Sequence, residues 1–328
     1  MPVTTGLQTV GFGANTKISY LVQTAAGAID STPEWIVVPF ASGEMTVQAE
    51  QMNDNSMTGD RNELEPRSGT VNGQMRLSGK FRPECFDGLL EAAAQGTWTT
   101  IGATTEDALL VGSTQRRVAW EIYHSDIDEY VRMVDTEISN FSLSLNANGE
   151  VTFDMTAIGG TELDLGLNIG TAITGATYTE TSEPFYDTFN GTISLAGETG
   201  IYFSSMSPTI NNQSTPLFAL GSRYPFAIAH GKMMGDMSLT AYYTDETIKS
   251  KYQDETSLDL TVKIMYEDVG ELEDTTTFYH QIKWPSTKII SFGRPVSGEG
   301  ALMDNLTVKP YKDSSLGSSF QIIRNTPA

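Results

Sequence analysis

Hydrophobic and polar residues alternate along several stretches of the chain. In residues 71–81, Val71, Met75, Leu77 and Phe81 share one side with two glycines, and polar residues take the other side. A period of two is typical of a β-strand with one buried face. The same alternation occurs in residues 118–124, 141–155, 257–268 and 277–284. The pattern therefore predicts a mainly β protein.

The stretch 141–155 also contains a turn signal. Its alternating apolar residues are interrupted by Asn148-Gly149. Both turn residues tolerate positive φ, so Asn-Gly between two alternating runs predicts a β-hairpin. Hairpin connections join antiparallel strands, whereas parallel strands need longer crossovers. We therefore expect antiparallel β-sandwich or barrel units.

Two segments have helical character, Pro83–Ala94 and Asp245–Tyr252. A proline suits the first turn of a helix, and Gly96 can end the first of the two helices. Apolar residues recur at helical spacing in each segment, at Phe86, Leu89 and Leu90 and at Ile248 and Tyr252. We predict one short helix in each half of the chain.

The same strand-to-helix unit occurs twice in the sequence. Four residues of the first copy are identical in the second copy, at one constant spacing: Gly73, Met75, Leu77 and Glu84 match Gly235, Met237, Leu239 and Glu246. A weaker match, at a spacing one position longer, relates Leu143 and Leu145 to Leu306 and Val308. A spacing close to half the chain length favours tandem duplication. The alternative is that unrelated β-rich segments share alternating patterns.

A connector between the two copies is predicted in residues 158–184, which are rich in glycine and threonine. A chain of 328 residues also suits two domains better than one. We expect a first β domain over residues 1–165 and a second over residues 166–328.

The chain is strongly acidic, with a net charge of −21. Binding to nucleic acid phosphates requires excess positive charge, so a nucleic-acid-gripping surface is not expected. The acidity can serve solubility alone, or it can repel a polyanion. No apolar run approaches the ~20 residues that a membrane span needs.

The sequence offers little for metal or cofactor binding. Asp54, Ser56, Thr58, Gly59 and Glu65 fit the spacing of a calcium loop, but flanking helices are absent from the pattern and Pro66 follows at once. An exposed polar loop is the alternative that we favour. No phosphate-binding or dinucleotide-binding glycine motif occurs, and we predict no cofactor.

Catalytic residues are not indicated either. His124 lies near acidic residues in what reads as a charged turn, and His280 alternates with apolar residues as an inward strand residue would. No nucleophile motif accompanies any histidine. The single cysteine, Cys85, lies at the start of a helical segment, where packing is a simpler role than reactivity. We predict that the protein is not an enzyme.

Three stretches in the first half, 16–40, 42–63 and 71–98, resemble the major tail tube proteins of bacteriophages with long, non-contractile tails. They look like the family's opening strands, its long polar loop, and its strand with a short helix ending near Trp98. In the second half, residues 205–245 are similar to the C-terminal part of the same group, and residues 280–289 look like its late strand.

This resemblance implies a structural role in the virion tail. Tail tube subunits stack as rings, sheets of neighbouring subunits join edge to edge, and DNA passes down the bore. Two tube-like domains per chain would let a homotrimer form a pseudo-hexameric ring. The implied partners are further copies of the chain, the tape measure protein, and the tail tip and terminator proteins, with assembly in the host cytoplasm.

Two sets of residues are expected to serve this role. An acidic bore would repel DNA, and alternation marks Glu121, Asp154, Asp236 and Asp259 as acids facing the lumen. The long polar loop 42–70 is expected to reach the next ring. Its contact residues would be Gln51, Asn53, Asp54, Asn55, Met57, Asp60 and Arg61.

Two alternatives belong to other functional classes. One is a carbohydrate- or receptor-binding β-sandwich protein of a virion, which would need exposed aromatic residues at loop tips. Trp98 and Trp120 are the early candidates for such residues, although Trp120 alternates inward. The other is a hydrolase that depends on His124 or Asp126.

Overall fold

The computed structural model describes residues 11–57, 62, 64–102, 104–147, 149–162, 170–195, 198, 201–265, 278–296 and 299–325. Within these ranges the protein is mainly β and its strands are mostly antiparallel, as predicted. The two α-helices in these ranges are α1 (Asp87–Ala94) and α2 (Thr247–Gln253), one in each half of the chain.

The strands are numbered in chain order. The first ten are β1 (Thr16–Val22), β2 (Glu34–Val37), β3 (Ser42–Met52), β4 (Arg67–Lys80), β5 (Thr99–Thr100), β6 (Glu106–Leu110), β7 (Val118–His124), β8 (Glu129–Asn146), β9 (Val151–Ile158) and β10 (Thr161–Glu162). The other ten are β11 (Thr177–Thr179), β12 (Asp187–Leu195), β13 (Phe203–Asn211), β14 (Thr215–Phe218), β15 (Pro225–Ala229), β16 (Met237–Tyr242), β17 (Leu258–Met265), β18 (Tyr279–Gly293), β19 (Met303–Pro310) and β20 (Gln321–Asn325).

Eight strands form one continuous layer that crosses both halves of the chain. Their order is β3-β4-β9-β8-β13-β16-β19-β18. Strands β8 and β18 are long, and only their C-terminal parts belong to this layer. The link between the halves is the antiparallel pair β8–β13, which we call the internal junction.

The N-terminal parts of β8 and β18 each belong to an outer sheet. Around β8 the order is β11-β2-β1-β7-β8-β10, and around β18 it is β12-β17-β18-β20-β6-β5. Each half also adds a strand to an outer sheet of the other half: β11 pairs with β2, and β20 pairs with β6. One hydrophobic core runs through both halves between the layers.

The two halves repeat the same pairing scheme. Strand β4 lies between β3 and β9, and β16 lies between β13 and β19. Strands β7, β8 and β9 pair in succession, as do β17, β18 and β19. This agreement supports the duplication, while the domain boundary at residues 165 and 166 stays a prediction.

The pairing corrects one of the sequence matches. Leu77 and Leu239, on β4 and β16, pair with Met155 and Leu306 respectively. Leu306 is therefore the counterpart of Met155 and not of Leu143. The weaker match was wrong because the connection after α1 is longer than the connection after α2, so one fixed spacing cannot align the later strands.

Helix α1 packs in the core, and its ends differ from the prediction. Pro83 precedes the helix in a turn where Glu84 has φ +66°, and the helix begins at Asp87. Gln95 takes the left-handed cap position predicted for Gly96. Gly96 is needed for close packing instead, because a Cβ atom there would lie 2.2 Å from the carbonyl oxygen of Leu110.

The predicted connector is attached to the first half. Residues 163–169 lie outside the described ranges, but Ile173 is buried against Trp35 and Ala119, and β11 pairs with β2 in parallel. This part of the chain covers the outward side of β7. Both faces of β7 are consequently buried at Val118–Glu121, although its sequence alternates.

Candidate assembly surfaces

The eight-stranded layer has one face against the core and one face in solvent. We call the solvent side the polar face, because most of its side chains are serine, threonine, asparagine and glutamine. Hydroxyl residues follow one another across neighbouring strands. The register pairs Thr152 with Ser144, Ser207 with Ser238, Ser238 with Thr307, and Thr307 with Ser291.

Charged residues on the polar face nearly balance. Four are basic and four are acidic: Arg76, Lys80, Lys288, Lys309, Glu44, Glu150, Asp154 and Asp236, with Glu150 bonded to Lys80. Glu44 lies opposite Arg76 in the register of β3 and β4. The net charge of −21 is therefore not concentrated on this face.

The acids predicted to face the lumen do not share one surface. Asp154 is exposed in the middle of the polar face. Asp236 is half-buried just before β16, at the border of the polar face. Asp259 is exposed on β17, in an outer sheet.

The interpretation of Glu121 as a solvent-facing acid was wrong. Its side chain is fully buried, and its carboxylate accepts a 2.6 Å hydrogen bond from Arg132 Nε and a 2.7 Å hydrogen bond from the Tyr178 hydroxyl. Burial, together with the hydrogen bond to Glu121, raises the pKa of Tyr178. The segment that carries Tyr178 and Thr171 covers this part of the sheet, and the Thr171 carbonyl oxygen also accepts from Arg132.

Both ends of the eight-stranded layer are open within the described part of the chain. Among the described residues, strand β3 pairs with β4 alone. Strand β18 pairs with β19 over Thr287–Gly293, and β17 covers its other side only as far as Thr287. Residues 288–293 therefore present an open edge. Val47 on β3 and Ile290 on β18 are 36% and 49% exposed at these edges.

The predicted loop 42–70 is in large part a β-hairpin. Residues 42–52 and 67–70 belong to β3 and β4, and Gln51 pairs with Ser68. We call residues 49–70 the first arm. Asn53, Asp54, Asn55 and Met57 lie in its exposed tip, where hydrogen bonds from Ser56 to the Asp54 carboxylate lower the pKa of Asp54. Asp60 and Arg61, like Thr58 and Gly59 of the calcium pattern, lie outside the described residues.

A second arm, residues 213–230, forms the corresponding connection of the other half. It contains the hairpin β14–β15 and connects β13 to β16, as the first arm connects β3 to β4. Its tip is apolar where the first tip is polar. The exposed apolar side chains are Leu217, Phe218, Leu220, Tyr224 and Phe226. The sequence showed these residues only as part of a similar stretch, and nothing in their spacing marked them as exposed.

The root of the second arm is fixed to the first half of the chain. His230 bonds to buried Glu137 on β8 and, through Nδ1 at 3.0 Å, to the Ser214 hydroxyl. The Arg223 carbonyl accepts a hydrogen bond from the Val71 amide of β4. The second arm therefore crosses the internal junction and lies on the first half.

A protein-family model described as "Phage tail tube protein" matches residues 13–310. The chain belongs to the phage tail tube protein family. The match spans both halves and both arms. It makes the chain a structural protein of the virion tail that self-assembles into a tube, in a family that is not one of enzymes. The comparison with curated proteins gives no match.

In this tail tube protein, the side chains of His280, Trp120 and His124 lie within hydrogen-bond distance of neighbouring hydroxyl groups. His280 is buried, as predicted, and its Nδ1 lies 2.8 Å from the Tyr186 hydroxyl. Trp120 is buried, as predicted, and donates to the Thr136 hydroxyl at 2.8 Å. His124 lies 3.0 Å from the Thr16 hydroxyl on the neighbouring strand β1.

No group of histidine, cysteine, aspartate or glutamate side chains in the described ranges could hold a metal ion. No helix among those residues is long and apolar enough to cross a membrane.

Proposed function

We propose that three copies of this tail tube protein close a ring around a central bore, and that the rings stack into the tube of a long, non-contractile tail. Phage DNA passes through this bore into the host. The observation that carries the proposal is the eight-stranded layer: it contains two equivalent sheet segments and ends in two open strand edges.

The open edges favour a closed ring over a free monomer. An exposed strand edge presents unpaired backbone groups and is a template for pairing with another chain. Joining one edge of each copy to the other edge of the next gives a head-to-tail contact, and such contacts form rings when the rotation closes. Three copies would place six sheet segments around the bore.

The polar face is our candidate for the wall of the bore. It lies opposite the core side, where α1 packs, so it can line a channel with mostly polar side chains. The near balance of its charges changes the expected mechanism. DNA would slide past hydrated hydroxyl and amide groups. It would not be held, because a wall without excess positive charge releases few counterions. It would not be strongly repelled either, because the charges of the wall nearly balance.

The two arms supply contacts between stacked rings. Both leave the same end of the layer, at the links from β3 to β4 and from β13 to β16. A polar tip and an apolar tip, carried by equivalent connections, would alternate around a ring of three chains. At the ends of the tube the same surfaces would meet the tail tip and terminator proteins, and the bore would hold the tape measure protein during assembly.

Electron microscopy and native mass spectrometry of the concentrated, purified protein test the proposal. We expect rings with the mass of a trimer, an outline close to six-fold, and hollow tubes at higher concentration. Single particles with the mass of one chain at every concentration would contradict it.

A receptor- or carbohydrate-binding virion protein is the second candidate, because the second arm exposes three aromatic side chains, Phe218, Tyr224 and Phe226. The same images separate the two functions. Aromatic tips buried between rings support the tube, and single particles that bind glycans through this arm support the alternative.

A further inference from the structure

We infer that the ring joint pairs β3 of one copy with residues 288–293 of the next copy, antiparallel, with Val47 opposite Phe292. The partner is a second copy of this chain, and the inference rests on the proposed ring. It comes from the internal junction β8–β13, which shows how two equivalent edges meet within one chain.

Strands β3 and β13 occupy equivalent positions in the two halves. On β4 and β16, Leu77 and Leu239 occupy the same place in the repeat. Leu77 pairs with Gly43 of β3, and Leu239 pairs with Met206 of β13. Gly43 therefore corresponds to Met206, and the same alignment continued along both strands makes Val47 correspond to Ile210.

Strands β8 and β18 also occupy equivalent positions in the two halves. Phe141 pairs with Met155, and Phe292 pairs with Leu306, the counterpart of Met155. Phe141 and Phe292 therefore occupy the same place.

An irregularity in the pairing supports this alignment. The register shifts between Ile138 and Asn140 on β8, and between Ile289 and Ser291 on β18. These are equivalent positions when Phe141 is aligned with Phe292. A bulge is a specific local feature, so its recurrence fixes the alignment better than alternation does.

The two long strands, β8 and β18, differ on the side that faces away from β9 and β19 respectively. On β8, this side is covered first by β7 and then by β13. On β18, it is covered first by β17 and then, within the described residues, by no strand. The open edge of β18 is thus the place that β13 fills on β8.

Transferring the register of the internal junction gives the contacts. Ile210 pairs with Phe141 and Asn211 with Asn140. The equivalent contacts between copies are Val47 with Phe292 and Gln48 with Ser291. Apolar Val47 and Ile290, both exposed in the single chain, would be covered at this joint.

A pair of engineered cysteines tests the register. At the internal junction the Asn212 amide donates to the Ser139 carbonyl at 2.9 Å. The adjacent pair, Asn211 and Asn140, is therefore a non-hydrogen-bonded pair, in which side chains lie closest and a disulfide can form. We expect Gln48→Cys with Ser291→Cys to give covalently closed trimers on oxidation of assembled rings. Native Cys85 is buried and can stay in place.

The matched control moves one cysteine further along the same face of β3. Glu44→Cys with Ser291→Cys should remain uncross-linked, because the two thiols would be roughly 13 Å apart at the rise of a strand. Two outcomes would overturn the proposed register without contradicting the proposed ring. In one, rings form but the Gln48 pair stays unlinked, and in the other, both cysteine pairs link equally. Wild-type protein that never forms rings would overturn the proposed function itself.

Hydrogen exchange on the wild-type protein decides the case if the cysteine variants do not fold. On assembly, the backbone amides at the two edges should gain protection from exchange. The readout is the exchange of peptides that cover residues 43–50 and 288–294. Protection in both segments supports the joint. Assembled rings with unchanged exchange in either segment would contradict it.

Discussion

The pair of Glu121 and Arg132 is the clearest case in which a single residue has a different role from the one its sequence position indicates. Both side chains are fully buried, and they are 2.6 Å apart. Burying two charges is costly, but removing one partner leaves the other charge without compensation. The pair fixes the connector to the first half through Tyr178 and Thr171.

Replacing Glu121 should therefore destabilise the fold. We expect Glu121→Gln to lower the free energy of unfolding by on the order of 3 kcal/mol, because Arg132 stays buried without its carboxylate. Urea unfolding at neutral pH measures the loss. The control is Glu180→Gln, which removes an exposed ion pair with Lys17 and should cost less than ~1 kcal/mol. An equal loss in both variants would contradict the structural role of the buried pair.

Cys85 should be unreactive in the folded protein. Burial, followed in importance by the nearby Asp87 carboxylate, raises the pKa of its thiol to about 12. The thiol therefore stays protonated from pH 7 to 9, and the thiolate is the reactive form. A colorimetric thiol reagent should detect no free thiol until urea unfolds the chain. A Ser56→Cys variant, with its added thiol in the exposed first arm, should react at once, and fast labelling of the native chain would refute the assignment.

At the level of elements, the first arm can be shortened without changing either strand. Replacing residues 53–66 by a two-residue Asn-Gly turn closes the β3–β4 hairpin directly. We expect folded protein that still forms rings but no longer forms tubes, because the strand edges remain and the tip is gone. Size-exclusion chromatography and electron microscopy distinguish the two assemblies.

A control for this deletion keeps the length of the tip and replaces the same residues with glycine and serine. If that variant also fails to form tubes, the side chains of the tip and not its reach make the contact. Normal tubes from the shortened protein would contradict any role of the first arm in stacking.

The sequence predicts some elements well for a physical reason. Strand β4 and the β8–β9 hairpin each have one buried and one exposed face, so their side chains alternate. Strand β3 was interpreted as part of a loop, although Met45, Val47 and Ala49 alternate with polar residues, and it lies at an edge of the layer where nearly all of it is exposed. The covering of β7 by residues 170–179 is a long-range contact that no local pattern records.

The candidate site was predicted less well than the fold. Alternation alone marked both Glu121 and Asp259 as acids facing the lumen. Alternation shows on which face of its strand a residue lies, but not to which sheet that strand belongs. The polar face appears only when eight strands from both halves are placed side by side. A single fixed spacing found β4 and β16 but missed β8 and β18, since the intervening connections differ in length.

At the level of the whole molecule, the charge of the polar face can be tested with one added cation. Ser238→Lys places a positive charge in the hydroxyl row, and we expect assembled tubes to retain short duplex DNA at low salt and release it as salt rises. Gln253→Lys adds the same charge at the end of α2, away from the polar face, and should behave like the wild type. Equal retention by the two variants would show that the polar face does not line the bore.

The internal junction also affects how readily assembly begins. In the proposed ring, every second joint is already made when the chain folds, because β8 and β13 belong to the same polypeptide. A tethered partner is present at a high effective concentration, so these joints need no encounter between molecules. Dilution then opposes only the joints between chains. A host cell would therefore need far less of this protein to nucleate a tail than it would need of a chain that carried one sheet segment.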